Sequence, residues 1–142
     1  LDRAGRHAFA SLGPRTDKRA LADFADRLNY EVTSFDALGP DGRPVYHTNV
    51  LLSLGTRFAM ICLAAIPAEQ RTRVVDALEG TGRTVVEASW EQLTRFACNM
   101  LELRSAAGEP LIALSSAALA SLEPRQRTTL ERLGGALVDT PI

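Results

Sequence analysis

The sequence predicts an α/β fold in which a ββαβ unit recurs along the chain. Short apolar runs alternate with amphipathic helical segments, and most of these runs are flanked by Gly, Pro or Asp. Helices are predicted to begin near Asp17, Pro67 and Pro124, and a strand follows each of them. The separation of roughly 50 residues between these starts is typical of stacked or radial modules. A single open parallel sheet is the plainer alternative.

The first predicted module covers residues 1–38. Residues 6–12 form a short apolar strand, and Asp17 can accept backbone N–H bonds at the start of a helix over 18–28. The inward face of this helix is marked by apolar residues at helical spacing, namely Leu21, Phe24, Ala25 and Leu28. The β-rich run 30–35 is the next strand, and the Pro- and Gly-rich segment 39–44 is a loop.

The second predicted module covers residues 45–92. Two strands, 46–54 and 57–64, are joined by a turn at Gly55-Thr56, and their nearly continuous apolar character predicts burial on both faces. A helix begins at Pro67, and Gly80 and Gly82 end it before a strand over 83–89. Ser89 and Gln92 have the spacing of a capping box, so a short helical turn follows.

The third predicted module covers residues 96–142. Strands over 96–104 and 110–115 are followed by a short helix over 116–121. A second helix begins at Pro124 and ends at Gly134-Gly135, before a last strand over 136–140. No single module can bury its own apolar face, so the modules must pack against one another.

The composition excludes several classes of function. The chain has 142 residues, 46% of them hydrophobic, and its net charge of -1 with scattered basic residues gives no case for nucleic acid. The longest apolar stretch, 58–66, is too short to span a membrane, and no signal peptide precedes it. Cys62 and Cys98 lie in apolar runs, which predicts a reducing cytoplasm rather than disulfides or a zinc site.

Both ends of the chain read as strands inside a fold, so we expect a piece of a longer protein. Three segments then carry a resemblance: "SLGPRTD", "PVYHTNVLLSLGTRFAMICL" and "FACNMLEL". Together they resemble the amidinotransferase family of guanidino-group-modifying enzymes, which includes arginine deiminases and dimethylarginine hydrolases. The likeness is closest to the citrulline-utilisation hydrolase branch. The order of the segments and the sequence between them also fit, so the resemblance covers most of the chain.

The resemblance implies a five-bladed α/β propeller, or pentein, built from ββαβ modules. Residues 1–142 would then be a partial propeller domain with three modules, and about two further modules would lie mostly before residue 1. In such enzymes a cysteine thiolate attacks the central carbon of a guanidinium or ureido group. A histidine protonates the leaving group and then activates water. This chemistry needs a small citrulline- or arginine-like substrate and no metal or organic cofactor, and it leaves a homo-oligomer open.

His47 matches the catalytic histidine of the family, and its imidazole suits both proton transfers. From the residues alone, the alternative to a catalytic role is that His47 caps a strand by hydrogen bonding. Asn49 is two residues further, so an extended strand would place both side chains on one side. Arginine deiminases carry Asp there. An amide supplies no charge, which favours a neutral ureido group such as that of citrulline. Alternatively, Asn49 satisfies backbone groups at the strand entry. Thr48, between the two, is predicted to face the other way and to be structural.

Arg15 lies before the first helix, where its guanidinium can hold a carboxylate bidentately. The matching arginine of related hydrolases contacts the substrate carboxylate. A surface arginine paired with Asp17 is the alternative reading. The family usually has Ser where this chain has Gly13, which changes the loop before Arg15.

Neither cysteine is expected to be the nucleophile. Cys98 falls where the family typically has Gly, and Cys62 lies inside an apolar strand, so both are predicted to be buried. The family nucleophile follows a glycine-rich stretch that this sequence does not contain, so the isolated chain should be inactive. Asn99 is predicted to hold a turn or line the central channel, Glu102 to be an exposed strand carboxylate, and His7 to lie at the surface.

The sequence thus predicts a cytoplasmic hydrolase that cleaves a linear C–N bond in an amidine or ureido compound. Amidino transfer to an amine is an alternative, because the same covalent adduct serves both reactions. A non-catalytic α/β interaction module built on the same propeller is a third reading.

Overall fold

The computed structural model describes residues 1–141 of the chain. The strands are β1 (His7–Leu12), β2 (Glu31–Asp36), β3 (Leu52–Leu54), β4 (Phe58–Ile61), β5 (Thr84–Glu87), β6 (Leu101–Arg104), β7 (Pro110–Ser115) and β8 (Ala136–Thr140). The helices are α1 (Lys18–Leu28), α2 (Thr48–Leu51), α3 (Ala68–Gly80), α4 (Trp90–Thr94), α5 (Ser116–Ser121) and α6 (Pro124–Gly134). A 3₁₀ turn covers Leu63–Ala65.

The strands form three small sheets rather than one open sheet. Their orders are β1-β2, β3-β4-β5 and β6-β7-β8. In the second and third sheets the middle strand is antiparallel to the strand before it and parallel to the strand after it. In the first sheet, β1 and β2 are parallel and α1 connects them. The fold is therefore mixed α/β, with the ββαβ order present twice and a βαβ unit before it.

The core forms where each unit packs on the next. Helix α3 contacts β2 of the preceding unit as well as β5 of its own, and α6 contacts β4 as well as β7 and β8. Phe58 and Ile61 of β4 are at most 1% exposed and belong to one apolar cluster that includes residues of all three sheets. By contrast, no residue of α1 is buried. Burial of apolar area thus stabilises the junctions between units as much as the units themselves.

Local sequence signals place most elements where they were predicted. Helix α1 covers 18–28, with the Asp17 carboxylate accepting the backbone N–H groups of Arg19 and Ala20. The capping box of Ser89 and Gln92 is present at the start of α4. Elements β7, α5 and β8 have the predicted bounds. None of the helices within residues 1–141 is long and apolar enough to cross a membrane.

The predicted strand over 46–54 is wrong in its first half. Residues 48–51 form the single helical turn α2, and only Leu52–Leu54 extend as β3 against β4. The N–H of Leu52 closes this turn by donating to the carbonyl of Thr48. The predicted strand over 96–104 is shortened in the same way, because the N–H of Asn99 donates to the carbonyl of Phe96 and β6 begins at Leu101.

A buried ion pair ties the start of the chain to the second sheet. Arg83 Nη1 donates to Asp2 Oδ2 at 2.7 Å, both side chains are less than a tenth exposed, and Arg83 Nε donates to the carbonyl of Gly55 at 2.7 Å. The hydrogen bond from Arg83 lowers the pKa of Asp2 more than burial raises it. Asp2 therefore stays ionised and fixes the β3–β4 turn against the segment before β1.

Candidate active site

Arg15 is presented by a tight turn between β1 and α1. The turn is closed by backbone hydrogen bonds between Gly13 and Thr16, and a Cβ on Gly13 would lie 3.6 Å from Pro44 Cβ. The Asp17 carboxylate caps the helix and accepts two backbone N–H groups. None of the ion pairs formed within residues 1–141 joins it to Arg15. The Arg15 side chain is exposed.

His47 is the residue that precedes α2. Its backbone is extended, at φ -148° and ψ 141°, and its carbonyl accepts the N–H of Val50 at 3.1 Å. Its side chain is exposed and makes no capping hydrogen bond. The loop before it is held by two backbone bonds, from Leu38 to Ala65 and from Val45 to Ala37. The main chain therefore fixes the position of this residue, and its side chain lies at the surface.

Thr48 joins the Arg15 turn to His47. Its Oγ1 accepts the backbone N–H of Ser11 at 2.9 Å and lies 3.2 Å from Ser11 Oγ. Ser11 is buried near the end of β1, four residues before Arg15. The threonine is structural, as predicted, and it holds the start of α2 beside the end of β1.

The side chains of Arg15 and His47 meet, although they lie 32 residues apart in the chain. Arg15 Nη1 is 3.2 Å from His47 Nε2. A guanidinium only donates hydrogen bonds, so Nε2 accepts and the ring proton is on Nδ1. The Tyr46 ring lies next to both, with its centroid 5.7 Å from the Arg15 guanidinium carbon and 5.0 Å from the His47 ring. The sequence reading gave no role to Tyr46, although it adjoins the histidine in the motif.

Asn49 does not lie where an extended strand would place it. It is exposed on the turn α2, so the predicted alignment with His47 along one side of a strand is wrong. It lines a cavity of about 320 Å³ together with Thr48, Ser53, Cys98 and Asn99. The side chains that line this cavity within residues 1–141 are apolar or neutral polar. Ser53 Oγ is buried there and has no hydrogen-bond partner within residues 1–141.

The two cysteines are buried, as predicted. Cys62 and Cys98 are both 0% exposed. Burial raises the pKa of Cys62, and it raises the pKa of Cys98 to about 12. A thiol with such a pKa is almost entirely protonated near neutral pH, and a nucleophilic cysteine must be a thiolate. Cys98 therefore borders the cavity as a small core residue.

Two other sequence predictions change in the structure. His7 is buried rather than at the surface, with Nε2 2.8 Å from Thr33 Oγ1 and its ring stacked on Phe9. Glu102 accepts the backbone N–H of Thr56 at 2.5 Å, so it joins the third sheet to the β3–β4 turn. His7 thus joins β1 to β2 within the first sheet, whereas Glu102 stabilises a junction between two sheets.

The hydroxyl of Thr48 should matter for both folding and activity. Replacing Thr48 with valine keeps the shape and leaves the buried Ser11 N–H without a partner. We expect a loss of about 1–2 kcal/mol in the free energy of unfolding. Urea denaturation measures this loss, and Thr48→Ser, which keeps the hydroxyl, is the matched control. A Thr48→Val protein as stable as the serine variant would contradict the anchoring role.

Comparisons with known proteins identify the family of the chain and its fold. A family model for N,N dimethylarginine dimethylhydrolase, eukaryotic, matches residues 1–142. Among solved structures, the chain is similar to apo ArgZ, an arginine dihydrolase of the ornithine-ammonia cycle in cyanobacteria, with 20% identity and a TM-score of 0.72. It is also similar to the substrate-bound N-terminal domain of ArgZ, with 22% identity and a TM-score of 0.71. AgrE in complex with L-arginine gives 18% identity and a TM-score of 0.74.

Each of these three alignments covers 99% of this chain. The chain spans only 20% of full-length ArgZ, 47% of its N-terminal domain and 19% of AgrE. A search of curated proteins finds no match. At these identities the structural likeness shows the fold.

The fold and the motifs thus define a member of the guanidino-group-modifying, or amidinotransferase, superfamily. Within it, the chain belongs to the N,N-dimethylarginine dimethylhydrolase family, whose model it matches along its whole length. The narrower likeness to citrulline-utilisation hydrolases, the module bounds and the roles of His47, Arg15 and Asn49 stay predictions.

Proposed function

We propose that this chain supplies the histidine part of the active site of a hydrolase that cleaves a linear C–N bond in a guanidino or ureido compound. One observation carries the proposal: His47 and Arg15, the two residues that match family motifs, lie within hydrogen-bond distance in a chain of this family. An acid/base and a carboxylate-binding cation side by side suit a substrate of the amino-acid type.

In the proposed reaction, a cysteine thiolate attacks the central carbon of the group. This cysteine lies outside the 142 residues, since Cys62 and Cys98 are buried and protonated. The C–N bond then breaks, and His47, which enters this step in its protonated form, delivers that proton to the departing ammonia or amine. In the second step, neutral His47 takes a proton from water, the resulting hydroxide attacks the carbon, and the thiolate leaves. The histidine returns to its first state after each pair of transfers.

Arg15 is proposed to hold the carboxylate at the other end of the substrate. It is exposed, it forms none of the ion pairs within residues 1–141, and its planar fork matches a carboxylate. The complete site is proposed to lie in a five-bladed propeller, for which the repeated packing of each helix on the preceding sheet gives support. The exposed face of α1, which has no preceding sheet in this chain, suits the same packing.

The cavity lined by Thr48 and Asn49, the two residues that follow His47, favours a neutral ureido group, such as that of citrulline, over a cationic guanidinium. Asn49 and Asn99 supply amide groups to it and no charge. A cation without a nearby carboxylate loses its hydration at a high cost, whereas amides can satisfy the donors and acceptors of a ureido group.

One added negative charge is expected to shift the proposed substrate preference from citrulline toward arginine. Replacing Asn49 with aspartate should raise the kcat/KM for arginine relative to citrulline by about tenfold or more, because a hydrogen bond to a charged partner is worth roughly 1.5–3 kcal/mol. The measurement is steady-state turnover of citrulline, arginine and N,N-dimethylarginine by the full-length protein. Asn99→Asp places the same charge elsewhere on the cavity wall and is the matched control.

Each outcome of this assay supports or contradicts one part of the proposal. Turnover of at least one of the three substrates by the unmodified protein supports the hydrolase proposal. An unchanged ratio in Asn49→Asp would contradict the role of Asn49, and an equal shift in Asn99→Asp would show that only the added charge matters. Complete absence of turnover would favour a non-catalytic module.

A further inference from the structure

The hydrogen bond between Arg15 and His47 occupies the atom that the proposed reaction needs. His47 Nε2 must give a proton to the leaving group and take one from water. In this structure its lone pair accepts from Arg15 Nη1 at 3.2 Å. Because the guanidinium remains a donor at all ordinary pH values, this lone pair is engaged for as long as the contact lasts.

Tyr46 keeps the guanidinium in that position. The Arg15 guanidinium carbon lies over the Tyr46 ring, 5.7 Å from its centroid, and the edge-on contact of Tyr46 with the His47 ring measures 5.0 Å. The negative face of an aromatic ring attracts a cation that lies over it. The ring thus contacts both members of the hydrogen bond.

We propose that Arg15 masks His47 until a carboxylate ligand takes the guanidinium, with Tyr46 as the positioning residue that holds Arg15 in the masking arrangement. The proposal deepens the proposed function, on which it rests for the statement that the carboxylate belongs to the substrate. Binding at one end of the substrate would then free the imidazole at the other end.

The Arg15 guanidinium is expected to prefer a carboxylate ligand to the His47 imidazole, because the two acceptors differ in number and in charge. A neutral imidazole offers one lone pair to one N–H group. A carboxylate offers two anionic oxygens to the guanidinium fork, so two parallel N–H bonds can form and both partners carry charge. The Arg15 side chain is exposed and can turn toward a ligand without opening the core. Unmasking therefore needs a side-chain movement only.

Chemical acylation of the imidazole tests the mask without using the hydrolase activity. Diethylpyrocarbonate reacts with the free lone pair of a neutral imidazole nitrogen, which displaces ethyl carbonate from the reagent. The rate of this reaction at His47 is measured by peptide mass spectrometry on the full-length protein, at one fixed, mildly alkaline pH. His7 falls on a different tryptic peptide and is buried against Thr33, so it reports any general change in reagent or fold.

Sodium acetate is the carboxylate probe, and sodium chloride at equal ionic strength is its control. We expect acetate to accelerate acylation of His47 by about fivefold, which corresponds to a hydrogen bond of about 1 kcal/mol. Arg15→Met should react at the faster rate with either salt. Tyr46→Leu should lie between the two, and Tyr46→Phe, which keeps the ring, should behave as the unmodified protein does. Arg19→Gln, a nearby exposed arginine on α1, is the matched control.

An unmodified protein whose His47 reacts no faster in acetate than in chloride would overturn the proposal. So would an Arg15→Met protein that is as slow as the unmodified one. Equal rates in Tyr46→Leu and Tyr46→Phe would overturn the positioning role of Tyr46. Since the readout is the acylation rate, a protein that hydrolyses none of the substrates above and still responds to acetate would refute only the proposed function.

Discussion

Replacing His47 with alanine is expected to lower the kcat of the full-length protein by about 10²- to 10⁴-fold, the usual worth of a positioned acid/base. Both proton transfers of the proposed reaction use the imidazole, and the other histidine of the chain, His7, is buried against Thr33. Steady-state turnover of the best of the three substrates gives the measurement.

Folding should be almost unaffected by this change. The His47 side chain is exposed and makes no capping hydrogen bond, so the free energy of unfolding should change by less than about 0.5 kcal/mol. A thermal melt of the variant is the control for folding, and added imidazole should restore part of the activity. A His47→Ala protein that keeps more than a tenth of its kcat would refute the acid/base role.

Replacing Gly135 with alanine is expected to destabilise the protein by about 3 kcal/mol or more, or roughly 10 °C in Tm. Gly135 connects α6 to β8 at φ 90° and ψ -165°, a conformation that side chains rarely adopt. An added Cβ would lie 2.0 Å from the Pro110 carbonyl oxygen and 2.6 Å from its carbon. Both atoms belong to the backbone of β7, so β8 would have to leave its register with Leu111.

Variants at two other glycines distinguish the destabilisation caused by the positive φ from that caused by the close contact with β7. Gly108 also has a positive φ, of 85°, but an added Cβ meets nothing within 4 Å, so Gly108→Ala should cost only about 1 kcal/mol. Gly80, at the end of α3, has neither constraint, and Gly80→Ala should be neutral or slightly stabilising. Urea unfolding of the three variants gives the order, and a Gly135→Ala protein no less stable than Gly108→Ala would contradict the close approach to β7.

Prediction from sequence succeeded where the signals lie within a few residues of the structure they produce. The bounds of α1 follow from the Asp17 cap and the apolar spacing, and the capping box of Ser89 and Gln92 starts α4. Prediction from sequence failed at α2, where the run of apolar residues predicted a strand. There the Thr48 hydroxyl bonds to Ser11, 37 residues away, and the backbone turns before it joins the sheet. The spacing of apolar residues along the chain carries no information about such a long-range contact.

The sequence by itself determined the mixed α/β fold, the recurring unit, the buried cysteines and the two motifs that hold Arg15 and His47. Only the tertiary structure decided that these two side chains meet, that Tyr46 contacts both, and that Asn49 lies at the cavity shared with Asn99. The physical reason is the distance along the chain over which each kind of interaction acts. Caps, turns and apolar spacing act over one or two helical turns, whereas the site is assembled by packing between units that lie far apart in the chain.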